Sequence, residues 1–128
     1  MTCADATYAL MYNQMVVHQI SDEQVDRLFQ ALADSTRRDI LQRSISHEQS
    51  VSSLAAHYDM SFAAVQKHVA VLERAELISK ERRGREQIVR GHEPTVRTAL
   101  SLLEAYEELW VQRATQIAEI LEKRGVTS

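Results

Sequence analysis

No glycine or proline occurs before Gly84, so about two thirds of the chain lacks the residues that most sharply interrupt regular structure. The first eighty residues are therefore expected to be mostly helical, with boundaries set by caps and apolar period. "SDEQ" at 21–24 has the form of a capping box, Ser21 accepting from the first turn and Gln24 reaching back. Val25, Leu28, Phe29 and Leu32 then recur at helical spacing to about Ala33. A second helix follows "DST", with Ile40, Leu41 and Ile45 inward and Arg37, Arg38, Gln42 and Arg43 largely outward. A third begins after Ser50 and carries Leu54, Ala55 and Tyr58. The link "DMS" leads to a fourth helix capped by Ser61.

Past Leu77 the texture changes. "LISKERRGREQIVR" has strand-forming residues on either side of Arg83, Gly84 and Arg85, the pattern of a small hairpin with glycine at its tip. Pro94 then falls in the first turn of a last helix, where a missing amide hydrogen costs nothing. The apolar positions of that helix, Val96, Leu100, Leu103, Tyr106, Leu109, Trp110, Ile117, Ile120 and Leu121, run for more turns than a small core can cover. Such a stripe is expected to meet another subunit. The whole is mainly α with a small β-hairpin wing, residues 21–124 forming one winged helix-turn-helix domain between an N-terminal extension at 1–20 and a tail at 125–128. In the extension, Tyr8, Leu10, Met11, Met15, Val16 and Val17 allow an extra helix that widens a dimer contact, or Met11 or Met15 as the natural start.

Length and composition agree with this plan: 128 residues, 45% hydrophobic, suit one compact domain. No apolar run approaches the ~20 residues of a membrane span, and the N-terminus lacks the basic start of a signal peptide, so a cytoplasmic protein is expected. The lone Cys3 cannot form an internal disulfide. The formal net charge of −3 argues against a polyanionic partner until its distribution is considered. Residues 61–91 hold seven basic and four acidic side chains, a local surplus of three positives, while the C-terminal stretch is rich in glutamate.

At roughly 100° per residue, Val65, Val69 and Leu72 gather on one face of the fourth helix. Ala63, Gln66, Lys67, Ala70 and Arg74 spread over the other. An outward face of this kind fits a major groove: Gln66 offers a bidentate amide to a base, and Lys67 reaches a guanine edge or a phosphate. Ala63 and Ala70 add no bulk, and Phe62 can rest on a thymine methyl. Each residue also has a plainer reading. Gln66 and Lys67 would look the same on any solvated face, Phe62 can staple its own helix, and Arg82, Arg83 and Arg85 can merely solubilise a hairpin tip. His68, at the border of the apolar face, is expected to be partly buried. The conjunction of basic wing and smooth polar helix face favours DNA.

"LADSTRRDIL" at 32–41 and "SFAAVQKHVAVL" at 61–72 resemble the ArsR/SmtB family of bacterial winged-helix repressors, the likeness covering about residues 22–121. Ser35 replaces the usual proline, and Gln66 stands where the family usually has serine. The resemblance implies a homodimer through the first and last helices, with Val25, Leu28, Leu103, Tyr106, Trp110 and Ile117 in its interface. It further implies a roughly palindromic double-stranded DNA operator, met by Ser61, Phe62, Ala63, Gln66, Lys67, Arg82, Arg83 and Arg85, and repression by occluding a promoter.

Metal-sensing relatives carry a cysteine pair in an "ELCVCDL" stretch; here 48–54 reads "EQSVSSL", and a serine hydroxyl is no substitute for thiolate toward soft ions. Residues 94–124 contain neither Asp nor His, so the zinc ligands of other relatives are missing too. His18, His47, His57, His68 and His92 lack tight ligand spacing, and no metal or other cofactor is expected. The aromatic last helix resembles a metal-independent subgroup, often paired with a START-like gene. Whether an organic small-molecule effector exists stays open. A winged-helix protein-interaction module is the alternative, and the acidic total suits it. No nucleophile stands with a partner base and no phosphate loop occurs, so an enzyme is not expected.

Overall fold

The computed structural model describes residues 20–125; Cys3, His18 and the apolar residues of the N-terminal extension lie outside them. In chain order the elements are α1 (Asp22–Leu32), α2 (Ser35–Ser46), β1 (Gln49–Ser50), α3 (Val51–Ala55), α4 (Phe62–Arg74), β2 (Ile78–Arg83), β3 (Glu86–Gly91) and α5 (Glu93–Lys123). Residues 20–97 form one unit, and the chain from Thr98 belongs to a second.

In the first unit the helices begin where capping chemistry starts them. The Ser21 hydroxyl accepts from the Gln24 amide at 3.2 Å, and the Gln24 side chain accepts from the Ser21 amide at 3.0 Å, completing the capping box. Asp34, Ser50 and Ser61 cap α2, α3 and α4 in the same way, each accepting from the amide three residues on. Helix α1 ends with no basic residue in its last turn, leaving carbonyls that face the macrodipole's negative end. Arg37 and Arg38 satisfy them: Arg37 donates to the Gln30 and Ala31 carbonyls at 2.8 and 2.9 Å, and Arg38 to Leu32 at 2.8 Å. Arg37 thus turns back onto α1 and is partly buried, while Arg38 makes its bond from the exposed side where an outward residue is expected.

Side chains of α1, α2, α3, α4 and the sheet supply the core, including Leu28, Ile40, Leu54, Val65, Val69 and Leu72. Leu28 is only 1% exposed in the single chain, so its place is in this core and it has no surface to offer a second subunit. Ile45 is a further correction. Its side chain rests over Gly91 of β3, where an added Cβ would stand 2.6 Å from the Ile45 Cγ1, yet it remains 58% exposed. The Ile45 side chain takes the place that a side chain at position 91 would have filled.

The sheet has three antiparallel strands in the order β1-β3-β2. The hairpin of β2 and β3 turns through Gly84 and Arg85, with Arg83 paired to Glu86 and Gly84 at φ 66, as a two-residue turn with glycine first requires. The two-residue strand β1 is an addition to the expected hairpin, pairing Gln49 with Val89 and Ser50 with Ile88. Helix α3 ends at Ala55, earlier than expected, and Tyr58 lies in the turn that follows.

In the second unit α5 continues to Lys123 with a broad apolar surface open. Leu103, Tyr106, Leu109, Trp110, Ile117 and Ile120 are all exposed, Trp110 at 70%. No described helix is long and apolar enough to cross a membrane.

Candidate nucleic-acid interface

Helix α4 buries Val65, Val69 and Leu72 and leaves Phe62, Ala63, Gln66, Lys67 and Arg74 exposed, the division its apolar period predicts. Burial of that apolar face sets its rotation, and polar bonds at its start, on its flank and just before it accompany the packing. The Ser61 hydroxyl fixes its first turn by accepting from Ala64 at 3.1 Å. On its flank, the half-buried His68 ring stands 3.4 Å from an Arg37 guanidinium nitrogen and 4.0 Å from the Asp34 carboxylate. Asp34 is held below the usual carboxylate range by the Arg37 amide it caps, and further by the charges of Arg37 and His68. The residue that starts α2, the one that closes α1 and the flank of α4 therefore share one polar junction.

The third set of bonds lies beneath. Tyr58, just before α4, donates its hydroxyl to Asp39 of α2 at 2.6 Å, and Arg43 donates to the same oxygen at 2.8 Å. These bonds hold the Asp39 carboxyl below its ordinary range, the phenol contributing most. Burial, and then the neighbouring carboxylate, push the Tyr58 phenol up to about 12. At its far end α4 closes with a Schellman turn: Leu77 donates to Leu72 at 3.0 Å and Glu76 to Glu73 at 2.9 Å. Glu76 takes the left-handed position, φ 61, that glycine usually occupies there.

The wing's cations divide by strand alternation. Residues on one face of the hairpin include Ile78, Lys80 and Arg82, opposite Gly91, Val89 and Gln87. This face is turned toward α4, because Lys80 Nζ lies 3.7 Å from the Glu73 carboxylate. The other face carries Glu81, Arg83 and Arg90. Arg83 pairs there with Glu48 at 2.8 Å and Glu81 at 3.4 Å, and Arg90 with the same two carboxylates at 3.1 Å each. Arg82 and Arg85 make no ion pair with any described residue, and Lys67 on α4 is equally uncommitted.

The expected contact set is therefore brought together in part. Gln66, Lys67, Ala63, Phe62 and the cap Ser61 share the outer surface of α4, and Arg82 extends from the wing face turned toward it. Arg85 is exposed at the tip. Arg83 lies on the opposite wing face, tied to a residue 35 positions earlier. Sequence reasoning missed Glu48, since only β1 brings it beside β3; the alternation of Arg82 and Arg83 along one strand was the available signal. Among the described residues, no group of three or more His, Cys, Asp or Glu side chains is placed to hold a metal ion.

Comparison with known proteins places this geometry. Residues 34–80 match the model of a family described as bacterial regulatory protein, arsR family. The HTH-type transcriptional regulator Rv2034 of Mycobacterium tuberculosis is 32% identical over 100 residues, 78% of this chain and 91% of the relative. The transcriptional repressor SdpR of Bacillus subtilis is 32% identical over 60 residues, 47% of this chain and 67% of the relative. Among solved structures, an ArsR-like transcriptional regulator from Rhodococcus sp. RHA1 superimposes with a TM-score of 0.72 at 31% identity, over 79% of this chain and 93% of that one. A homodimeric winged helix-turn-helix DNA-binding domain from Mycobacterium bovis gives 0.55 at 28% identity, over 70% of this chain and 91% of that one.

Proposed function

Since the chain belongs to the ArsR family of bacterial regulatory proteins, and with it to the DNA-binding transcriptional regulators, we propose that it acts as a homodimeric repressor that lays α4 in the major groove. One observation carries the contact assignment: α4 turns an outer face with Gln66 and Lys67 to solvent while its buried Val65, Val69 and Leu72 fix that rotation, and Arg82, in no ion pair with a described residue, continues the same side. Gln66 then reads a base edge, and Lys67, Arg82 and Arg85 neutralise phosphates. The exposed stripe of α5 around Leu103, Tyr106, Trp110 and Ile117 joins two copies, with the first helix adding Val25 as the family resemblance implies. Two recognition helices so paired meet half-sites about 34 Å apart, and the bound dimer occludes a promoter. Such a protein works where the chromosome is, in the cytoplasm.

The test is a gel shift with fragments that the protein enriches from a random-sequence pool, at two salt concentrations, beside a Lys67→Ala, Arg82→Ala double variant. In the homodimer the double variant loses four phosphate contacts, which weakens binding and lowers the slope of log affinity against log salt by about 3.6. Equal, salt-insensitive binding by both proteins would instead support a protein-interaction module.

A further inference from the structure

Two of the wing's arginines are already answered from within the chain. Extending the β1 register by one residue puts Glu48 opposite Arg90, and its two oxygens divide between Arg83 at 2.8 Å and Arg90 at 3.1 Å. Glu81 closes the group, reaching Arg83 at 3.4 Å and Arg90 at 3.1 Å. All four side chains stand on the wing face opposite Lys80 and Arg82. Two carboxylates and two guanidinium groups sum to no charge, so half of a basic-looking wing offers a polyanion nothing in net terms.

The consequence for DNA follows from counterion release. A protein cation on a phosphate releases a condensed cation from the duplex, and that release supplies most of non-specific affinity. If Arg83 turns to a phosphate, it leaves Glu48 and Glu81 with only Arg90 between them, and that uncompensated negative charge beside the duplex offsets what the release gains. The pairs are half exposed and individually weak, so strength is not what matters. Cancelled charge is. Arg82, Arg85 and Lys67 make no such pair with any described residue and keep their full value toward phosphate.

We propose that Glu48 is a specificity-determining residue: by neutralising Arg83 and Arg90 it withholds sequence-independent attraction, leaving discrimination to the outer face of α4. The proposal rests on the DNA-binding reading above. In keeping with the geometry, the Glu48 carboxyl is held below its ordinary range, first by the Arg83 hydrogen bond and then by that charge.

The experiment is a double-variant cycle of Glu48→Gln and Arg83→Gln in the full chain, read by fluorescence anisotropy between 50 and 200 mM KCl. The probes are a 30-base-pair duplex of arbitrary sequence and a fragment enriched by the wild-type protein from a random pool. With Glu48 present, Arg83→Gln leaves the salt slope nearly unchanged. Glu48→Gln, present in both copies of the dimer, steepens the slope by about 1.8 and lowers the preference for the enriched fragment roughly threefold to tenfold, and adding Arg83→Gln then removes the gain. An Arg83→Gln effect of the same size in both backgrounds would overturn the proposal, as would an unchanged preference in Glu48→Gln. A wild-type protein that binds neither duplex at 50 mM salt would overturn the regulator reading, and this one with it. Melting curves of the variants identify misfolding; should Glu48→Gln unfold, Glu81→Gln replaces it in the cycle with the same expected signs.

Discussion

Helices α4 and α5 are both amphipathic, yet they treat their apolar faces in opposite ways. In α4, Val65, Val69 and Leu72 are buried within the single chain, and apart from Phe62 in the first turn what remains outside is small or polar. In α5, Leu103, Tyr106, Trp110 and Ile117 remain open to solvent. A helix whose apolar face is satisfied can spend its outer face on a polar ligand; one whose apolar face is bare needs a second protein surface. The same period in sequence thus leads to two functions, and the difference lies in whether the fold supplies a cover.

The contrast can be broken at either helix. Leu72→Ala removes a fully buried side chain from the α4 core and should cost about 2–5 kcal/mol, measured by urea unfolding. On α5, Trp110→Glu should leave residues 20–97 folded by circular dichroism while raising the dimer dissociation constant at least about 30-fold in sedimentation, as loss of a central aromatic anchor does. Comparable loss of fold in both variants would erase the distinction.

Smaller changes sharpen it. Asp39 and Tyr58 join α2 to the turn before α4, so Tyr58→Phe should cost about 1–2 kcal/mol near pH 7. Because the folded Asp39 carboxyl lies below its unfolded value, that stabilisation is present above about pH 4 and is lost as pH falls through the folded pKa. The raised phenol works in the other direction: its share is complete below about pH 10 and is lost as pH rises toward about 12. The penalty of Tyr58→Phe should therefore be greatest between these limits, as urea unfolding across pH would show. Smallest of all, Glu76→Gly should stabilise the end of α4 by about 0.5–1 kcal/mol, since glycine takes φ 61 without strain.

Local chemistry was legible in the sequence. The Ser21 and Gln24 capping box, the division of α4, the glycine-led turn and the bare stripe of α5 each depend on residues a few positions apart. What escaped depends on partners far along the chain. Strand β1 exists because β3 lies beside it, and only then does Glu48 reach Arg83. Arg37 looked like surface charge because nothing in its helix reveals that the carbonyls of α1 end within reach. Ile45 looked like core because its period fits, whereas it covers only Gly91 at the end of β3 and stays exposed. The candidate site was legible on α4 and only half legible on the wing, where alternation separates Arg82 from Arg83 and a distant carboxylate decides which of them is free.

The central claim, that the outer face of α4 reads DNA, is tested most directly by comparing the sequences enriched from a random pool by the wild-type protein and by Gln66→Ala. The account predicts an inverted repeat with half-sites about one helical turn apart, and a preference relaxed by Gln66→Ala at one symmetry-related pair of positions only. Identical enriched sequences for the two proteins, or none for either, would contradict it.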